Sequence, residues 1–309
     1  MFAYHRALDA METQRKIFVT GATGFVGRAL LARLTGLSVV GLTHGGAELQ
    51  GANVRFVRGD LAQADAWTRE LVGVDMVVHC AALTGKARER DLVRVNVDGT
   101  RALVDACSAA GVRRFLHVSS IAVSYPELAH YPYARSKRDA EQVVRESGLE
   151  WTIARPTIVL GRGSRIAKTL RGMAGLPLVP IFGAGRVRIQ PIDVADLALL
   201  LRDWVDDTSL ARDTFDLGGR EACEFRDLLS RAHTRLRGGR ARFVRLPCKA
   251  AIAVLGPLEK GLLPLLPVTA GQLYAFAYDS AVTPNRWWER RRAELKGVDE
   301  LVEDLARDA

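Results

Sequence analysis

The residue types best suited to chemistry are Ser120, Tyr133 and Lys137. Tyr133 and Lys137 stand four apart at the start of a predicted helix, so both side chains fall on one face. Ser120 closes an apolar run, Phe115-Leu-His-Val-Ser-Ser120, that reads as a strand of a parallel sheet. Ligands in open α/β sheets bind at the carboxyl ends of such strands. A tyrosine is a poor base at its ordinary pKa of about 10. A lysine ammonium beside it favours the phenolate and brings the pKa toward working pH, as general acid–base chemistry requires. A serine hydroxyl at the same edge can bond and orient a substrate oxygen. The three together suit proton transfer at an alcohol or carbonyl oxygen. A Tyr/Lys pair at this spacing also arises by chance as a solvated couple, so the reading depends on what positions it.

Positioning begins at Lys16-Ile-Phe-Val-Thr-Gly21-Ala-Thr23-Gly24-Phe25-Val26-Gly27. Ile17 to Val19 reads as a buried strand, and Phe25 to Leu34 has the apolar spacing of a helix. Between them lie glycines spaced GxxGxxG, a departure from the usual GxGxxG. One glycine makes the tight turn, one lets backbone approach a pyrophosphate, and one lets helix and strand pack closely. The helix N-terminus then presents unpaired N–H groups to an anion. Gly21, Thr23, Gly24, Phe25, Val26 and Gly27 are therefore candidate dinucleotide contacts.

The chain has 309 residues, 48% hydrophobic and 26% charged, enough for one large or two smaller domains. Net charge is +9, from 44 Lys and Arg against 35 Asp and Glu, which fits anionic partners or simply an Arg-rich solvated surface. No basic run is interleaved with aromatics as single-stranded nucleic acid would require, so no nucleic-acid partner is expected. Cys80, Cys107, Cys223 and Cys248 form no CxxC and match no zinc spacing, so no metal is expected and the compartment reads as reducing and cytoplasmic. Residues 1–14 lack the apolar core of a signal peptide and read as a disordered extension. No run reaches the length of a membrane span.

Strands are predicted at Ser38–Thr43, Val54–Val57, Met76–Cys80, Phe115–Val118 and Trp151–Pro156, with helices at 64–72, 91–110 and 134–147 between them. That alternation means parallel βαβ units and a sheet covered on both faces. After Leu160 the rhythm changes. A Gly/Pro-rich stretch with one helix precedes Arg188–Asp193, a helix opened by Asp193, and a strand at Thr214–Leu217. The expected fold class is α/β, a Rossmann-type doubly wound parallel sheet with a smaller, mostly helical C-terminal substrate domain. The nucleotide-binding domain is expected over 15–160 and 186–218, and the substrate domain over 161–185 and 219–309.

These motifs resemble the short-chain dehydrogenase/reductase superfamily, in its extended epimerase/dehydratase and 3β-hydroxysteroid dehydrogenase branch. The resemblance runs from about Lys16 to Leu217. It rests on the glycine turn, Gly59-Asp60-Leu61, His79-Cys-Ala81-Ala82, Asn96-Val-Asp-Gly-Thr100, Val118-Ser-Ser120, Tyr133-Ala-Arg-Ser-Lys137 and Arg155-Pro156-Thr157. It implies that Ser120, Tyr133 and Lys137 are catalytic, with Lys137 also holding the nicotinamide ribose. It implies that Asp60 and Leu61 flank the adenine, and that Ala81 and Ala82 line the cofactor. Pro156, Thr157 and Ile158 would pass by the nicotinamide ring, and Asn96 lies near the active site or serves as a structural helix asparagine.

Two departures matter. NAD-binding members carry an acid at the end of the second strand for the ribose 2′-hydroxyl. Here the sequence is Thr43-His44-Gly45-Gly46, with Arg28 directly after Gly27. Thr43, His44 or Arg28 can meet a 2′-phosphate, which favours NADP over NAD, with dual use left open. The second departure is Phe182–Leu197, which is similar to atypical members related to an accessory subunit of respiratory complex I. Those often lack the Tyr/Lys pair and act as NADPH-binding scaffolds; this chain keeps it.

The stretch 250–267 is apolar but broken by Gly and Pro. It reads as the lining of a lipid-like substrate pocket, as a peripheral membrane contact, or as a homodimer face. Arg186 and Arg188 can instead meet a nucleotide-sugar pyrophosphate. Oxidoreduction of a lipid-like or steroid-like small molecule, nucleotide-sugar epimerisation or dehydration, and a non-catalytic scaffold all stay open.

Overall fold

The structure, a computed structural model, describes residues 15–45, 53–247, 255, 273 and 277–307. The extension 1–14, Gly46, Cys248 and, Leu255 apart, the stretch 250–267 lie outside the described residues.

The sheet is built from β1 (Lys16–Thr20), β2 (Ser38–Thr43), β3 (Val54–Arg58), β4 (Met76–His79), β5 (Arg114–Val118) and β6 (Glu150–Pro156). Four short strands follow: β7 (Val159–Leu160), β8 (Val179–Phe182), β9 (Arg188–Ile189) and β10 (Ile192–Asp193). The last member of the sheet is β11 (Asp213–Leu217), and the spatial order is β11-β6-β5-β4-β1-β2-β3. All pairings are parallel. The chain leaves β3 at one edge and re-enters beside β1 as β4. The direction of winding reverses there, and such a switch point opens a crevice at the carboxyl ends of the strands.

Burial explains the strand sequences. β1, β2, β4 and β5 are almost wholly buried and read as apolar runs, as strands covered on both faces must. The edge strand β3 stays partly exposed. Side chains alternate between two cores. Ile17, Val19, Leu116, Val118 and Ala154 face one; Phe18, Phe115 and Ile153 face the other.

The helices supply the covers. They are α1 (Phe25–Leu31), α2 (Glu89–Leu92), α3 (Gly99–Ala109), α4 (Pro132–Arg145), α5 (Arg165–Ala174), α6 (Val194–Asp206), α7 (Phe225–Arg237), α8 (Arg286–Arg291) and α9 (Val298–Arg307). α1, α6 and the tryptophans of α8 cover one face of the sheet; α3 and α4 cover the other. A third cluster joins Leu170 of α5 and Ile181 of β8 to Phe225 and Leu229 of α7 and Val302 of α9. Two further short strands, β12 (Cys223–Glu224) and β13 (Phe243–Leu246), pair with β9 and β8.

Two expected helices come out differently. Residues 64–72 form two 3₁₀ turns, Ala64–Ala66 and Thr68–Leu71, broken at Trp67. The Trp67 indole is fully buried and donates to the Asp60 carbonyl at 2.9 Å, a tertiary anchor that a regular helix would displace. The helix expected over 91–110 starts two residues earlier and is widened into a π turn at Val93–Asp98, which carries the buried Asn96. Gly111, at φ +74°, closes it as expected. Among the described residues no helix is long and apolar enough to cross a membrane.

Candidate functional site

The glycine turn sits at the switch point. Gly21 has φ +65°, and a side chain there would place Cβ 2.7 Å from the Ala81 nitrogen, in β4's exit loop. A Cβ on Gly27 would run into the Gly21 carbonyl, so α1 lies directly against the turn. Gly24 is exposed and caps α1 with no side-chain bond, and the first turn of α1 holds no acid. Its N–H groups therefore face outward with a favourable partial charge for an anion. The residues fit a nicotinamide dinucleotide: Gly24 and the first turn of α1 would hold its pyrophosphate.

Flanking groups fill in the cleft. Thr23 Oγ1 and Thr43 Oγ1 are 2.9 Å apart, tying the turn to the end of β2. His44 is exposed, with Nδ1 4.0 Å from an Asp60 carboxylate oxygen, and Arg94 reaches that carboxylate at 3.7 Å. Arg28 is exposed on α1. Leu61 is buried against Gly99. The Ala81 N–H donates to Thr20 Oγ1 at 3.2 Å, and Ala82 follows in the same loop. Thr157 turns inward: its hydroxyl bonds the Gln190 carbonyl, and its neighbour Ile158 accepts from the Ile192 N–H at 2.9 Å. Pro156 ends β6 beside Leu217.

Ser120, Tyr133 and Lys137 converge at the ends of β5 and α4. Pro132 at the first position of α4 starts the helix where its missing N–H costs nothing. The Ser120 hydroxyl accepts from the Ala122 N–H at 3.2 Å and lies close enough to the Tyr133 hydroxyl to act on its pKa. Burial raises the Tyr133 pKa above its ordinary value, and Ser120 only partly opposes this. The expectation that Lys137 lowers it is not met in this arrangement. The buried Lys137 ammonium donates instead to the Val118 carbonyl at 2.8 Å. Burial lowers Lys137 to about 8, against the opposing pull of Glu141 and Cys80.

Beneath the three lies a polar layer that spacing alone does not reveal. Glu141 is fully buried and follows Lys137 by one turn on the same face of α4. It accepts from Ser119 Oγ at 2.6 Å, from Arg155 Nε at 2.8 Å and from Arg145 at 2.7 Å. Burial alone would raise its carboxyl, but Arg155, Ser119 and Arg145 hold it below the ordinary value. The signal was present as an acid four residues after Lys137, but its partners come from β5's exit and β6.

Asn96 is a clamp. It accepts from the Leu83 N–H at 2.7 Å and donates to the Leu83 carbonyl at 3.1 Å and to Ser136 at 2.9 Å, fixing the loop after β4 against α4. His79 lies between Thr20 Oγ1 at 2.6 Å and Thr100 Oγ1 at 2.9 Å. Burial, then the Lys137 charge, lowers it to about 3, so its imidazole is neutral. Tyr125, Tyr131 and Tyr278 form an aromatic cluster that meets Tyr133 through Tyr131, at a centroid distance of 5.9 Å. Burial raises the Cys80, Cys107 and Cys223 thiols to about 12, leaving them protonated.

The chain belongs to the NAD dependent epimerase/dehydratase family, which it matches over residues 17–207. With it the chain joins the short-chain dehydrogenase/reductase superfamily, whose members are NAD(P)-dependent oxidoreductases and epimerases. An uncharacterized protein of Mycobacterium tuberculosis is 30% identical over 188 residues, which are 60% of this chain but only 19% of that protein. The ceramide reductase of Caulobacter vibrioides is 30% identical over 244 residues, covering 77% of this chain and 75% of the enzyme. A short-chain dehydrogenase/reductase superfamily protein of Agrobacterium tumefaciens, solved with bound NAD, superposes with a TM-score of 0.64 at 25% identity, over 90% of this chain and 96% of that one.

Proposed function

We propose that the protein is an NADP(H)-dependent reductase of a carbonyl on a lipid-like substrate. The observation that carries this reading is the placement of Tyr133 beside Ser120 at the carboxyl edge of the sheet, with Lys137 buried one turn further along the same helix. Ser120 orients the substrate carbonyl oxygen by donating to it. Tyr133, held protonated by burial, delivers its proton to that oxygen. A reduced nicotinamide supplies the hydride when bound. Lys137 holds a positive charge at this edge below about pH 8 and would meet the ribose hydroxyls. The aromatic cluster beside Tyr133 suits an apolar substrate. The Caulobacter relative, a ceramide reductase, supports the same substrate class.

For the cofactor, the end of β2 carries Thr43 and no carboxylate, and Arg28 and His44 are exposed nearby. The strand end itself holds no acid to repel a 2′-phosphate, and the Asp60 carboxylate near His44 is also approached by Arg94 at 3.7 Å. Thr43→Asp is expected to reverse a preference for NADPH over NADH, read as the ratio of dissociation constants by fluorescence titration.

The test of the activity is consumption of NADPH at 340 nm with long-chain ketones and ceramide-like 3-oxo amides. Tyr133→Phe is expected to cut turnover by roughly 10²–10⁴-fold with cofactor affinity retained. Interconversion of sugar nucleotides with no net cofactor consumption would replace this reading with the epimerase one. Absence of turnover with either class would favour a scaffold.

A further inference from the structure

The chain's excess positive charge is concentrated in two segments. Residues 157–192 and 228–247 carry twelve of the 44 Lys and Arg and none of the 35 Asp and Glu. The rest of the chain, with 32 basic against 35 acidic residues, is slightly negative. The two basic segments pack on each other, through α5 on α7 and through the parallel ladder of β8 and β13.

On one side this charge is neutralised: Arg231 pairs with Asp227 and Asp299, and Arg235 approaches Glu303. On the ladder side it is not. Arg240 and Arg242 are exposed there and make no ion pair among the described residues; Arg245 is exposed too but alternates to the opposite face of β13, with Ile181. The same side exposes apolar groups. Register sets Val244 beside Pro180, so Leu178, Pro180, Val244 and Leu246 share one face with Arg242. Leu176, Leu178, Val244 and Leu246 are 37–55% exposed and make up four of the six exposed large hydrophobic side chains among the described residues. In sequence this strand leads directly toward the apolar stretch 250–267.

We propose that the β8–β13 face is a docking surface for an anionic lipid bilayer. Arginines around aliphatic side chains match such an interface: the charges meet lipid phosphates and the Leu and Val side chains enter the headgroup boundary. Nucleic acid fits less well, since the described residues of this face are aliphatic apart from the half-buried Phe182, with no exposed aromatic among them for base stacking. The proposal does not depend on the substrate reading. If both hold, the enzyme docks where an apolar substrate is stored.

The test is co-sedimentation of the full chain with vesicles of phosphatidylcholine alone or with 30 mol% phosphatidylglycerol, at about 0.1 M salt, where screening is moderate. Binding is expected to the anionic vesicles only and to be released at about 1 M salt. Arg240→Glu with Arg242→Glu is expected to weaken partitioning by on the order of 100-fold or more. Leu178→Ser with Val244→Ser is expected to weaken it as well, while circular dichroism melts of both variants stay at the wild-type midpoint. No binding of the wild type to anionic vesicles overturns the proposal, as does wild-type affinity in the arginine variant. Equal binding to neutral vesicles, or retention on a DNA duplex but not on vesicles at the same salt, also overturns it.

Discussion

Lys137 is costly where it stands. Burial brings its pKa to about 8, so at pH 7 the folded chain keeps an ammonium that the fold disfavours. The sign follows from proton binding. Between pH 8 and the ordinary lysine value of 10.5, the unfolded chain binds the proton that the folded chain has lost. Stability therefore rises with pH across that window. Lys137→Met removes the buried charge together with its bond to the Val118 carbonyl. It is expected to stabilise the fold at pH 7 by on the order of 1–2 kcal/mol, less than the charge penalty alone because a carbonyl loses its donor. Urea midpoints should show the gain shrinking toward pH 10. A variant that is less stable at pH 7 would mean the ammonium is better solvated than its burial implies. Activity and fold stability pull in opposite directions at this residue, as is common where a charged group serves a site.

At the scale of elements, α4 is the organising piece. Tyr133, Lys137 and Glu141 repeat every four residues along one face, so a single helix carries the proton donor, the ammonium and a carboxylate. Glu141 then locks α4 to two strand ends, through Ser119 after β5 and Arg155 in β6. Glu141→Gln keeps the shape and removes the charge. The expected loss at pH 7 is roughly 1–3 kcal/mol, below the full cost of breaking a buried pair because both guanidiniums reach solvent. The folded carboxyl pKa lies below the ordinary 4.5, so this contribution is present above that value and vanishes as pH falls through the folded one. Denaturant curves for variant and wild type should therefore converge in acid. A gap that persists at low pH would assign the effect to packing and not to charge.

For the whole molecule, the late segment is tied to the sheet by two tryptophans. Trp287 donates to the Leu200 carbonyl at 3.0 Å and Trp288 to the Gly218 carbonyl at 2.9 Å, both buried in the core that α1 and α6 share. The Arg292 guanidinium lies 4.8 Å over the Trp288 ring. Trp288→Ala leaves a cavity and the Gly218 carbonyl without its indole donor, and is expected to cost about 3–5 kcal/mol. A urea midpoint unchanged by the substitution would show that α8 contributes little to the fold. The charge asymmetry is also a property of this scale, because it arises only when segments far apart in sequence pack together.

Local spacing was enough to read the nucleotide turn, the strand–helix rhythm and the Tyr133/Lys137 pair. Each follows from short-range physics: Gly21 needs a positive φ, buried parallel strands need apolar runs, and four residues make one helical turn. The seven strands and the capped start of α6 at Asp193 were legible for the same reason. Long-range contacts decided the rest. Trp67 breaks a predicted helix because its indole finds Asp60. Lys137 turns to the Val118 carbonyl, and Tyr133 moves above its ordinary pKa instead of below it, because burial and hydrogen-bond partners set the cost of a charge. The β8–β13 face exists only through a register between segments some sixty residues apart, which no local pattern specifies.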